Sequence, residues 1–304
     1  MHELLGNTQG TTYSIKYFAN ESIITQKSID SILRLFDLEL STYIPVSKIS
    51  KINQNDTTVV TGKWFQEVLK LSQQVHQESK GLFDPTIGIL VNAYGFGPLK
   101  VDQMPNENEV QELLRKVGLH YIKINKNGTV SKAFPEMNLD FNAIAQGYAV
   151  DVLINYLTSK KIENAMVEIG GEVFAIGKNI SSQKPWTIGI EDPLQPINNR
   201  QILEKITLIN QGLATSGNYR KIKTDSITGK KYVHTLNPKT GISQPSKILS
   251  ATVITNSTAL ADAYATTLML MSLDEIKSFI QNKPKLKVLI IYQNDKNNVV
   301  VFKN

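Results

Sequence analysis

Asp262 and Thr266 stand four residues apart in "ALADAYATTLMLM" (259–271), a stretch otherwise apolar on nearly every side. On an α-helix such positions lie roughly 40° apart around the axis, so a carboxylate and a hydroxyl project from one stripe of a buried helix. Two readings are open. In the plain one, Thr266 bonds back to its own helix and Asp262 pairs with a Lys or Arg. In the other, a hard cation offsets the desolvation of the carboxylate. Magnesium suits the second reading, because it takes only one or two protein carboxylates and leaves phosphates and water to complete the octahedron.

Four further stretches carry candidate chemistry. "NLDFNAIAQGYAVD" (138–151) puts Asp140 just ahead of a helix start, as an N-cap or as a polar anchor for a ligand ring, with Gly147 and small alanines behind it. "KGLFDPTIGILVNAYGFGP" (80–98) is interrupted by glycine and Asp84-Pro85 too often for one regular element. It reads as a tightly folded loop, either a structural turn or a wall for a flat heteroaromatic ligand. In "GLATSGNYR" (212–220), Ser216, Gly217 and Arg220 suit phosphate. "YVHTLNPKTG" (232–241) sets His234 in a strand just before the Asn237-Pro238 turn. His234 is the most plausible catalytic histidine of four: His76 falls in an ordinary amphipathic helix and His2 in a loose terminus.

Several classes are excluded or disfavoured. The glycines of "GGEVFAIG" miss the dinucleotide fingerprint, and "GKK" (229–231) lacks the rest of a P-loop. No two histidines have zinc spacing. With no cysteine there is neither a disulfide frame nor a thiolate, so any metal rests on oxygen or histidine. The formal charge of +6 is spread along the chain, which argues against nucleic-acid binding. No run of about 18 apolar residues occurs, and the first residues lack the regions of a signal peptide, so the chain as written is expected to be soluble. It is equally compatible with the mature part of an exported precursor.

The elements that must position these groups follow from periodicity. Strand alternation covers 11–18, and helical spacing covers 28–40, 63–79, a short segment after Pro105, 143–161, 259–271 and 273–281. Strands are expected at "YIKIN", "GTVSK", 165–177 (broken by glycine), 186–192, 202–209, 231–236 and 249–254, with "KVLIIYQ" and "NVVVFKN" at the end. Strands outnumber helices and do not alternate with them, so the fold class is α+β with mixed or antiparallel sheets and packed helices. With 41% hydrophobic residues in 304 and no linker rich in Gly, Ser or Pro, the chain reads as one domain whose lobes pack closely.

In order, "GTTYSIKY", "STYIPVSKISKIN", "GLFDPTIGILVNAYGFG", "LDFNAIAQGYAVD", "VEIGGEVFAIG", "ATSGNYR", "HTLNPKTG" and "ADAYATTLMLM" resemble the ApbE family, the FAD:protein FMN transferases. The resemblance spans roughly residues 6–280. It implies a T-fold-like architecture and a magnesium-dependent reaction that moves FMN from FAD to a Thr or Ser of an acceptor flavoprotein subunit, releasing AMP. It places the metal between Asp262, Thr266 and the main-chain carbonyl of Ala143. FAD is placed against Tyr43, the Leu82–Phe83–Asp84 turn, Asp140, Gln146 and His234, with His234 as base. Glu168, Gly170, Gly171 and Arg220 fall at family-typical positions and are assigned to shaping the pocket.

The implied chemistry is sound: a cation on a pyrophosphate neutralises charge building on the leaving phosphate, and a histidine can take the proton of the incoming hydroxyl. Four departures stand out. Gln9 replaces a usual Met, Gln146 a common Lys, Asn218 a common Asp and Asn237 the Asp that usually precedes the proline. The rival activities are a magnesium-dependent FAD pyrophosphatase, a flavin-binding envelope protein without turnover, and charge-driven anion binding. Family members are commonly exported and lipid-anchored, which implies the bacterial periplasm or cell envelope, with a membrane link only through a lipid anchor outside this sequence.

Overall fold

The computed structural model describes residues 1–99, 101, 103–195, 201–218, 222–224, 229–243 and 246–304. The chain forms two compact units, neither of them contiguous. One comprises Met1–Arg34, Gln146–Tyr219 and Lys247–Asn304, the other Leu35–Ala145 and Arg220–Ser246.

The first unit is built on an eight-stranded sheet. Its strands are β1 (His2–Thr8), β2 (Thr11–Tyr17), β5 (Ala165–Ile169), β6 (Glu172–Ile176), β9 (Gln211–Gly217), β12 (Ile248–Thr255), β13 (Lys287–Gln293) and β14 (Val299–Lys303), in that spatial order. Every neighbouring pair is antiparallel. The hairpin β7 (Trp186–Glu191) and β8 (Ile202–Leu208) packs Trp186, Ile190 and Leu208 against Val173, Leu213, Ile254 and Leu289.

Helix α7 (Thr258–Leu268) packs on β9 and β12. Because side chains alternate along a strand, Gly212, Ala214 and Ser216 share the face opposite Leu213. Four strand residues span about 13 Å and eight helix residues about 12 Å, so Gly212 falls beside Thr258 and Ser216 beside Thr266. Covered on both faces, β12 is buried at all but one position, and α7 is apolar almost all round. Helices α6 (Ala145–Ser159) and α8 (Leu273–Gln281) also belong here, the sequence boundary between the units falling after the first residue of α6.

The second unit holds α2 (Lys48–Asn53), α3 (Lys63–Glu78), α4 (Gly88–Ala93), α5 (Glu107–Leu114) and the hairpins β3–β4 (Ile122–Ile124, Val130–Lys132) and β10–β11 (Ile222–Thr224, Lys231–Val233). Helix α1 (Gln26–Leu40) spans the first boundary between the units in sequence. The core of the second unit includes Ile89, Leu90, Tyr94, Val110, Tyr232 and Leu236, with Phe65 edge-on to Phe141. Lys132 is half-buried and donates to the carbonyls of Asn53, Pro135 and Met137 at 2.8–3.0 Å, while burial lowers its pKa to about 8.

The α+β class with antiparallel sheets is as expected, but several local expectations change. The N-terminus is not loose: His2 opens β1, stacks on Tyr17 at 4.9 Å and lies 3.1 Å from the Ala19 carbonyl. Edge pairing with β2 supplies the order that the polar pattern of "HELLGNT" conceals. The 80–98 loop contains a short helix, α4, whose Gly88 is required because a Cβ there would collide with the Asn138 carbonyl. The strand expected over 231–236 ends at Val233, and Gln211–Gly217, which the periodicity does not mark as a strand, is a central one.

Candidate functional site

In the first unit, α7 brings the two opening residues to one stripe as expected. Asp262 is buried at 7% exposure and Thr266 is half-buried. The back-bonding hydroxyl is a different one: Thr267 Oγ1 donates to the Ala263 carbonyl at 2.7 Å, whereas Thr266 Oγ1 lies 3.1 Å from Ser216 Oγ. Asp262 Oδ2 accepts the Gly147 amide at 3.1 Å, and among the described residues no basic side chain pairs with it. Burial, opposed by the Gly147 bond and reinforced by the nearby Asp151 charge, pushes the Asp262 carboxyl up to about 7. The ion-pair reading of Asp262 therefore fails for the described residues.

Gly147 sits in the first turn of α6, where main-chain amides lack helical acceptors. Its missing side chain is necessary: a Cβ would collide with the Thr258 carbonyl and lie 2.9 Å from Asp262 Cβ. Gln146, half-buried, donates to the Ile169 carbonyl at 3.1 Å. It lies against the β5–β6 turn, where Gly170 (φ +60°) and Gly171 (φ +110°) both take the left-handed region that such a two-residue hairpin needs. Glu168, half-buried in β5, pairs across to Ser14 and Val173. Gln9 (φ +50°) and Gly10 (φ +73°) form the same kind of turn between β1 and β2.

The second unit carries Tyr43, the 82–84 turn, Asp140, Ala143 and His234. Tyr43 is 58% exposed, with its hydroxyl 3.5 Å from the Phe96 carbonyl; burial and then the Asp140 charge raise its pKa. Asp140 is not the α6 cap. Its Oδ1 accepts the Asn142 amide at 2.7 Å in a local turn, and α6 starts only at Ala145. Burial raises the Asp140 carboxyl against that bond. Its amide donates to the Pro85 carbonyl at 2.7 Å, tying it to the 80–98 segment. Ala143 is half-buried in the turn before α6.

Within the 82–84 turn, Leu82 is half-buried and Phe83 buried. The Asp84 side chain is used internally: Oδ1 accepts the Thr86 amide and hydroxyl at 2.8 and 2.6 Å, and Oδ2 accepts the Leu119 amide at 3.2 Å. His76 Nδ1 donates to the Phe83 carbonyl at 2.8 Å and lies 3.5 Å from Asp84 Oδ2, so this histidine anchors the turn.

His234 is half-buried just beyond β11, where Ser243 bonds both main-chain groups of Val233. Asn237 Oδ1 accepts the Lys239 amide at 2.9 Å, so the amide serves this turn in place of the usual aspartate. Asn218 is buried after β9, and Arg220 lies outside the described residues. Sequence reasoning missed the Ser216–Thr266 contact, the Gly147 amide on Asp262 and the Asp151 carboxylate at the start of α7. Their signal was the i, i+2 spacing of 212–216 and the small residues of α6. A cavity of about 300 Å³ in the first unit, bounded by Lys16, Met166, Lys184, Pro185 and Trp186, includes none of the candidate residues.

A fold with this eight-stranded sheet and a carboxylate–hydroxyl pair on a buried helix matches solved structures over its whole length. It matches the Vibrio cholerae flavin transferase ApbE with a TM-score of 0.86 and 33% identity, covering 100% of this chain and 96% of that one. It matches the apo form of the Pseudomonas stutzeri flavinyl transferase ApbE with a TM-score of 0.84 and 27% identity, covering 99% and 94%. The ApbE family model matches residues 9–290, and the chain belongs to the ApbE family. A Haemophilus influenzae relative named FAD:protein FMN transferase is 35% identical, covering 96% of this chain and 86% of its own. A Vibrio cholerae relative of the same name is 36% identical, covering 96% and 87%.

Proposed function

We propose that this protein is a magnesium-dependent FAD:protein FMN transferase that moves FMN from FAD to a Thr or Ser hydroxyl of an acceptor protein and releases AMP. The observation that carries it is Asp262. A buried carboxylate held by one amide, with no basic partner among the described residues and with a threonine hydroxyl one turn along, suits a hard cation. Among the described residues no three His, Asp or Glu side chains cluster, so a cation here must rest on few carboxylates plus neutral oxygens. Asp262 and Thr266 supply such oxygens from one helix, and the family resemblance adds the Ala143 carbonyl.

When bound, the cation neutralises charge on the pyrophosphate. The remaining roles fall to side chains. Asp262 and Thr266 fix the donor oxygens, Ser216 orients the Thr266 hydroxyl, and Gly147 orients Asp262. Tyr43, the Leu82–Asp84 turn, Asp140 and Gln146 hold FAD. His234 accepts the proton as the acceptor oxygen bonds to the FMN phosphorus; the bond from that phosphorus to the bridging oxygen breaks, and AMP leaves with that oxygen. No nucleophile within this chain is needed. An envelope location, with a lipid anchor in the precursor, belongs to the same proposal and rests on the family resemblance.

The test is incubation with FAD, Mg²⁺ and a candidate acceptor peptide, followed by mass spectrometry. Transfer gives flavinylated peptide and AMP only when the peptide is present. AMP with free FMN in its absence marks a pyrophosphatase, and unchanged FAD marks a binding protein.

A further inference from the structure

Helices α6 and α7 exchange carboxylates. Asp151, on the second turn of α6, accepts the Ser257 hydroxyl at 2.7 Å and the amides of Thr258 and Ala259 at 2.8 and 3.0 Å, all at the start of α7. Asp262, on the second turn of α7, accepts the Gly147 amide at the start of α6. Each helix thus receives at its N-terminus an anion carried by the other, where unbonded amides and the helix dipole favour one.

We infer that Asp151 is a positioning residue for Asp262 and Thr266, setting the slide of α7 against α6 so that their oxygens are ready for a cation. The inference rests on the metal reading above. A slip of one residue, about 1.5 Å along α7, would break all four of these hydrogen bonds together. Glycines pack closely around the same helix start: a Cβ at Gly147 would meet the Thr258 carbonyl, and one at Gly212 would lie 2.6 Å from the Thr258 amide nitrogen.

Capping alone does not account for the arrangement. Ser257 already caps α7, accepting the Leu260 amide at 3.3 Å. Asp151 is itself satisfied by a hydroxyl and two amides, but its charge is felt at Asp262, where it adds to the negative potential around a carboxylate that has one amide and no basic partner among the described residues. Asp151 therefore orients the ligand and adds to the field that draws the cation, without touching it.

The test compares Asp151→Asn, Asp151→Ala, Leu157→Ala and Asp262→Asn with wild type. Mg²⁺ binding is measured by calorimetry, Tm by melting, and the Mg²⁺ dependence of transfer by titration. Both Asp151 variants are expected to bind Mg²⁺ about 10–100-fold more weakly, with the half-activating Mg²⁺ concentration rising in proportion and the rate recovering at saturating Mg²⁺. Leu157→Ala, a core truncation on the same helix, is expected to lower Tm with Mg²⁺ affinity unchanged. Should Asp151→Ala fail to fold, the isosteric Asp151→Asn carries the test. Wild-type Mg²⁺ affinity in Asp151→Asn, or an equal loss in Leu157→Ala, overturns the inference. Asp262→Asn separates the two readings: loss of binding there with none in Asp151→Asn sinks only this inference, whereas retained binding in Asp262→Asn sinks the metal site itself.

Discussion

Asp84 and Asp262 are both buried carboxylates, at 6% and 7% exposure, one in each unit, and their surroundings are opposite. Asp84 receives two amides and a hydroxyl, with His76 at 3.5 Å, and closes a turn. Asp262 receives one amide and feels a second carboxylate, and burial lifts its pKa to about 7. The same residue type at the same depth thus has its acceptor oxygens filled in one place and largely open in the other. What separates them is the number of donors, because a buried charge is costly until donors or a counter-charge surround it.

The most severe way to break this contrast is to neutralise the open carboxylate. Asp262→Asn is expected to bring FMN transfer down to background at any Mg²⁺ concentration, with Tm unchanged or higher; mass spectrometry of the acceptor and a melt decide it, and wild-type turnover would refute the metal assignment. His234→Ala is expected to retain FAD binding and lose about 10²–10⁴-fold in transfer rate. An unimpaired rate would remove His234 from the mechanism. For the filled carboxylate the forecast is reversed: Asp84→Ala strands three donors and costs about 3 kcal/mol of stability, while Mg²⁺ affinity stays at the wild-type value. A variant that melts normally but loses FAD would instead show Asp84 acting on the ligand.

The same contrast explains what could be read from the sequence. Long periodic segments were legible, since α1, α3, α6, α7 and α8 announce themselves by spacing, β13 by a continuous apolar run and β12 by its β-branched residues. The stripe of Asp262 and Thr266 follows from helical geometry alone. Elements held by pairing rather than pattern were not legible: β1 is a polar edge strand, and β9 is rich in Gly, Ala, Ser and Thr because α7 lies on it. Nor could spacing tell which threonine bonds back to α7. Thr267 does so, and Thr266 is turned to Ser216 by a strand 50 residues earlier in the chain. The donor count around Asp84 and Asp262 is likewise a tertiary property that spacing does not carry.

The smallest expected effect is the most direct measure of those open oxygens. A carboxyl whose folded pKa is raised from 3.8 to about 7 keeps its proton in the folded protein across that window and loses it in the unfolded chain. The folded state then binds more protons, so its stability is greatest below about pH 4 and declines as pH rises towards 7. A full shift of that size corresponds to about 4 kcal/mol, and relaxation around the charge should reduce the observed change to about 1–3 kcal/mol. Without Mg²⁺, wild type should lose Tm relative to Asp262→Asn between pH 4 and 7.5, a difference that cancels the titration of Asp140 common to both and reads Asp262 together with its electrostatic neighbour Asp151. Saturating Mg²⁺ should restore wild-type Tm at pH 7.5 and do little at pH 4.5, since the ion competes with the proton for the same oxygens. Parallel Tm curves for the two proteins would mean that Asp262 is as well satisfied as Asp84, and the distinction between the two carboxylates would be lost.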